Sequence, residues 1–126
     1  MNTNANGQHV QDVTGGLGIT LNPSRQAATN VFGYPKNINN GETMSTCSGT
    51  SLGPTFLIGF TGLQLVCDMT GGSSGGPWIR NFDTNTRSGQ QVSVTSFIIL
   101  NRPNNLFGPY FNQDNIGSLY QTYQNQ

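Results

Sequence analysis

Thr70-Gly71-Gly72-Ser73-Ser74-Gly75-Gly76-Pro77-Trp78 decides how this chain is read. Four glycines and two serines in nine residues give a backbone of unusual freedom with small, reactive side chains. Glycine reaches backbone angles closed to other residues, so two N–H groups can point into one small space. A serine held between such glycines is reachable and lies close to those N–H groups. Acyl transfer needs that pairing of a nucleophilic hydroxyl with donors for a developing oxyanion. Pro77 stops the flexible run, and Trp78 can anchor it in a core. A tight structural turn is the plain alternative, but a turn requires neither this length nor this order.

Within this run, Gly72-Ser73-Ser74-Gly75-Gly76-Pro77 resembles the Gly-Asp-Ser-Gly-Gly-Pro signature around the nucleophile of chymotrypsin-like (trypsin-fold) serine peptidases. The longer stretch Cys67–Trp78, with Phe32-Gly33-Tyr34-Pro35 before it, is similar to their secreted bacterial and fungal branch. The likeness runs from about Val13 to Tyr120. It implies Ser74 as nucleophile, with the backbone N–H groups of Gly72 and Ser74 as the oxyanion hole. It also implies an all-β fold: a six-stranded antiparallel barrel of the trypsin type, one half of a double-barrel enzyme, with a C-terminal helix. Residues 13–126 would form that barrel after a flexible segment, residues 1–12. Ser73 departs from the pattern, standing where the family carries an Asp that pairs with a freed amino terminus.

The family's triad runs His, Asp, Ser along the chain, and the first two come from a preceding barrel. Seventy-three residues precede Ser74 here, too few for a whole barrel and part of the next. The resemblance therefore implies the second barrel alone, with a partner barrel carrying His and Asp. His9 is the only histidine, in the polar setting Gly7-Gln8-His9-Val10-Gln11-Asp12. It reads as a surface residue, because a base must come within about 3 Å of the serine hydroxyl and nothing brings it there. The α/β-hydrolase elbow, Gly-x-Ser-x-Gly, also fits residues 72–76. That fold needs a later histidine and a following helix, but no histidine follows Ser74 and Gly75-Gly76-Pro77 is a poor helix start.

The family pocket would be walled by the segment before the serine and by a later strand, here Asp68, Thr70 and Gly71 against Thr95, Ser96 and Phe97. Asp68 lies six residues before Ser74, where a buried carboxylate would select a basic side chain in a peptide or protein substrate. The other reading points Asp68 outward.

With 126 residues there is room for one domain. Five basic and five acidic residues leave no net charge, which removes the basic footprint of a nucleic-acid binder and the polybasic signal of a membrane surface. High Gly with low charge suits a turn-rich β protein and not a disordered chain. Cys47 and Cys67 form no Cys-x-x-Cys pair and have no histidine cluster, so neither a metal nor a cofactor is expected. They read as a disulfide, with two buried free thiols as the alternative. No stretch is apolar over the length of a membrane span. Secretion follows from the resemblance, although residues 1–12 lack a signal-peptide pattern and suggest a truncated product.

Strands are expected at Leu17–Leu21, Asn30–Tyr34, Thr43–Ser48, Leu63–Cys67, Pro77–Arg80 and Gln91–Leu100, with Thr55–Phe60 a strand or hairpin. Pro35–Glu42 reads as a surface loop and Asn81–Gly89 as a turn. Ile116, Leu119, Tyr120 and Tyr123 mark one face of a terminal helix capped by Asp114 and packed on the barrel. Three functions follow: the serine-bearing half of an endopeptidase, an inactive homologue that binds, or a truncated product without function.

Overall fold

Residues 3–124 are described by a computed structural model of the chain. Met1, Asn2, Asn125 and Gln126, at the outer ends of the two expected segments, lie outside the described residues. A helical turn, α1 (Val10–Thr14), spans the expected boundary at residue 12. Asp12 closes its start by accepting the His9 N–H at 2.8 Å.

Eight strands follow: β1 (Gly18–Ile19), β2 (Ala27–Gly33), β3 (Ser45–Ser51), β4 (Leu63–Val66), β5 (Pro77–Asp83), β6 (Ser88–Val94), β7 (Phe97–Ile99) and β8 (Arg102–Gly108). Five form one sheet in the order β1-β6-β5-β2-β3, and three form a second in the order β4-β8-β7. All pairs are antiparallel except β1 with β6. The mostly β chain with a terminal helix is as expected, but a single closed six-stranded barrel is not what the hydrogen bonds draw. The sheets meet where Leu52 and Gln64 exchange two backbone bonds of 2.8 Å. Across the joint, Cys47 on β3 is bonded to Cys67 just beyond β4, so the disulfide reading holds and the free-thiol one falls.

Gln91–Leu100, expected as one strand, is divided between β6 and β7, which belong to different sheets. The break falls at Thr95 and Ser96. Thr95 gives its N–H to Gly76 O at 2.9 Å and takes the Gly75 N–H at 2.8 Å, so both main-chain groups serve the serine loop. Residues 55–60 form turns and not a strand.

Alternation along β4 sends Leu63 and Leu65 inward, where they meet Trp78 of β5 and Val31, Met69, Val92 and Leu106 in one core. Trp78 is fully buried, and its indole N–H donates to Thr95 Oγ1 at 3.0 Å. Burying such a ring contributes on the order of 5 kcal/mol. The loop thus leaves Ser74 and is pinned four residues later.

The tail corrects two expectations. Asn112, and not Asp114, caps it: Asn112 and Asn115 exchange side-chain-to-backbone bonds of 2.9 and 3.0 Å. A π-helical turn (Gln113–Gly117) then leads into α2 (Ser118–Tyr123). Leu119, Tyr120 and Tyr123 are exposed, so this face does not pack on the sheets; only Gly117 at the start is buried. No described helix is long and apolar enough to cross a membrane.

Candidate active site

The serine loop joins β4 to β5 and packs against the end of β2, where Phe32 and Gly33 lie against Gly76 and Ser73. Gly72 and Gly75 take positive φ of 97° and 79°, which a side chain strongly disfavours. These two reversals turn the chain so that Ser73 and Ser74 face opposite ways. Ser73 is buried, and its hydroxyl donates to Thr70 O at 2.7 Å, closing a turn from within. Ser74 is exposed, and its hydroxyl has no hydrogen-bond partner among the described residues.

The backbone donors divide in the same way. Ser73 N–H goes to Thr70 O at 3.2 Å, Gly75 N–H to Thr95 O at 2.8 Å and Gly76 N–H to Ser73 O at 3.0 Å. Gly72 and Ser74 donate to nothing among the described residues, so these two N–H groups remain free, and both residues line one groove. Gly71 O accepts from Lys36 N–H at 2.8 Å. Because a trans peptide sets C=O and N–H on opposite sides, this bond also fixes the direction of the Gly72 N–H.

The loop borders a groove of about 780 Å³. Its apolar wall comes from Leu17, Phe32, Tyr34, Met44, Ile79 and Phe82. Tyr34 and Met44 are 51% and 61% exposed, unusual for residues of that size standing together on one face.

Of the six residues expected to wall a substrate pocket, none lines this groove. Thr70 and Gly71 lead into the loop, and Thr95 lies under it, buried on Trp78. Ser96 and Phe97 run off along the second sheet, where Phe97 stacks on Phe107 with ring centres 5.1 Å apart. Asp68 is exposed, and its carboxylate lies beside the disulfide, within 4.8 Å of both sulfurs. That is the outward placement. Sulfur, sulfur and carboxylate form a metal-like cluster, but both sulfurs are bonded to each other and offer no thiolate.

His9 sits at the start of α1 and is not among the groove residues. Its Nδ1 is buried without a partner among the described residues. Among the residues that hold the loop, sequence reading missed Lys36 and Asn37. Nothing in the polar run from Pro35 to Glu42 sets them apart from an ordinary surface loop, since their role depends on contacts more than thirty residues away.

No protein-family model matches the chain, and no curated protein does either. Solved structures do. The protease Anisep from Arthrobacter nicotinovorans superposes with a TM-score of 0.81 at 37% identity, over 95% of this chain and 53% of that one. A thermostable serine protease, AL20, from an extremophilic microorganism gives 0.80 at 31% identity, over 99% of this chain and 56% of that one. The chain spans about half the length of these proteins. The likeness carried by the serine loop thus extends along the whole chain, whose fold is that of bacterial trypsin-like serine proteases over about half their length.

Proposed function

We propose that this chain is the serine-bearing half of a serine endopeptidase. Ser74 is the nucleophile that forms the acyl-enzyme, and the Gly72 and Ser74 N–H groups receive the oxyanion. The observation that carries this reading is the division of donors around the loop. Ser73, Gly75 and Gly76 are satisfied internally, while the two N–H groups an oxyanion would need are free in the loop that carries an exposed hydroxyl. Unsatisfied donors cost stability when buried, so leaving two in the loop of an exposed hydroxyl suits a site for a developing charge.

The base and its orienting carboxylate come from outside the described residues, since the one histidine of the chain lies at α1. The apolar groove beside Ser74 is the surface on which a second half carrying them would seat. Its exposed Tyr34 and Met44, and relatives about twice as long, support that assignment. Thr95 is buried beneath the serine loop and supports it, so the surface left for a peptide along this segment is that of Ser96 and Phe97, both exposed. Asp68 faces outward, which gives no support to selection of a basic side chain. Secretion is the compartment that the disulfide favours.

A hydroxyl with no base in reach also fits a homologue that binds without cleaving. Fluorophosphonate labelling, read by intact mass against Ser74→Ala, separates the two. The chain alone is expected to label no faster than the variant, because loss of a triad base slows turnover on the order of a millionfold. Adding the His-bearing half should restore labelling at Ser74. Failure to label in that complex sinks the endopeptidase reading and leaves the binding one.

A further inference from the structure

The segment before Ser74 is held from outside by one polar side chain. Asn37 Nδ2 donates to Asp68 O at 2.8 Å. Its Oδ1 accepts the Thr70 N–H at 3.2 Å and the Thr70 hydroxyl at 2.9 Å. Next to it, Lys36 N–H holds Gly71 O at 2.8 Å. Two consecutive residues of one loop therefore grip Asp68, Thr70 and Gly71, and the following residue is Gly72. An Asn amide has two donors and an acceptor oxygen, and the bonds here match that pattern at both ends.

We propose that Asn37 is a positioning residue for the oxyanion cradle. By fixing residues 68–70 it presents Gly71 O to Lys36 N–H. That bond turns the trans peptide 71–72 so that the Gly72 N–H points away from Lys36. The lock consists of neutral groups. Ser73, which stands where the resembling motif has Asp, adds a hydroxyl-to-carbonyl bond of 2.7 Å to Thr70, the residue that Asn37 holds. Thr70 is thus gripped from both sides, by Asn37 from the neighbouring loop and by Ser73 from within. No charge and no freed amino terminus is needed to set this loop. The inference rests on the oxyanion reading of Gly72, but the geometry that it predicts can be measured without any catalysis.

The test is amide hydrogen exchange by NMR on the full chain and on Asn37→Ala and Asn37→Asp. In Asn37→Ala, the Lys36 amide should exchange about tenfold faster or more. The Gly72 amide resonance should shift, while protected amides in β2 and β4 keep their rates. Asn37→Asp retains the acceptor for Thr70 and loses the donor to Asp68 O, so its effect at Lys36 should be smaller. An unchanged Lys36 rate overturns the proposal. So does a uniform rise across β2, β4 and Lys36, which means that Asn37 supports the fold at large. If Asn37→Ala does not fold, Asn37→Asp decides by the same two readings. A chain that never labels at Ser74 can still pass this test, so failure of one reading is distinguishable from failure of the other.

Discussion

Gly72 and Gly75 share a backbone conformation but not an environment, and that difference is measurable. A Cβ on Gly75 would meet nothing within 4 Å, so Gly75→Ala bears only the cost of its positive φ, about 1–2 kcal/mol. A Cβ on Gly72 would stand 2.7 Å from Tyr34 O, a backbone atom that cannot swing aside. Gly72→Ala should therefore cost about 3 kcal/mol or displace the loop. Urea unfolding of both variants checks the ranking, and equal midpoints would contradict it. Arg80 poses the opposite problem. It is 9% exposed and forms no salt bridge among the described residues, and burial lowers its pKa against the opposing effect of Tyr110. Its bonds go to Ser51 Oγ at 3.0 Å and Thr29 Oγ1 at 3.3 Å. Both hydroxyls also bond to carbonyls, so neither is orphaned when the guanidinium is removed. Arg80→Met should then be neutral within about 1 kcal/mol, or stabilising. The sign with pH follows from the lowered pKa. The unfolded chain holds the proton more tightly, so stability rises with pH only in the alkaline range where the guanidinium titrates. Across neutral pH the penalty is constant, and wild type and Arg80→Met should show parallel stability-pH curves there.

Among elements, the joint between the two sheets is the weakest part of the backbone ladder, with a single bridge pair at Leu52 and Gln64. The Cys47–Cys67 bond spans it, closing a loop of 20 residues. Its removal should cost about 3 kcal/mol. A Cys47→Ala/Cys67→Ala double variant compared in urea with the oxidised parent checks this, and a loss under about 1 kcal/mol would mean that the core alone holds the sheets together. The elements also show where sequence was legible. β4 was readable because apolar residues alternate there, β2 and β5 because each holds a short apolar run, Val31-Phe32 and Trp78-Ile79, and the serine loop because glycine and serine order is itself chemical. β8 was not: Arg102-Pro103-Asn104-Asn105 has few strand formers, yet β8 is the middle strand of its sheet. It is held by Leu106 and Phe107, both fully buried, so tertiary packing overrode propensity. The terminal helix was visible in its apolar spacing, but that spacing could not say that the apolar face stays exposed.

For the whole molecule, the apolar surface is distributed in an uneven way. Only 33% of residues are apolar, and the core uses the inward faces of both sheets. Even so, Leu17, Tyr34 and Met44 stand 38%, 51% and 61% exposed around one groove, next to the proposed nucleophile. A chain with so few apolar residues gains nothing by exposing them there unless another surface covers them, and relatives with about twice the length have the material to do so. The isolated chain should therefore bind a hydrophobic fluorescent dye at this groove. Leu17→Glu/Met44→Glu should lower that signal several-fold. Unfolding midpoints should move little, because exposed positions away from structural contacts are usually neutral within about 0.5 kcal/mol. The same variant should fail to associate with a His-bearing half that binds the parent chain. Dye binding that survives the double change would move the exposed apolar surface elsewhere, to Ile58 and Leu100 or to the face of α2, all of which are also uncovered. In that case the groove is a cleft beside Ser74 and not a seat for the His-bearing half, and the source of the catalytic base has to be sought at another face.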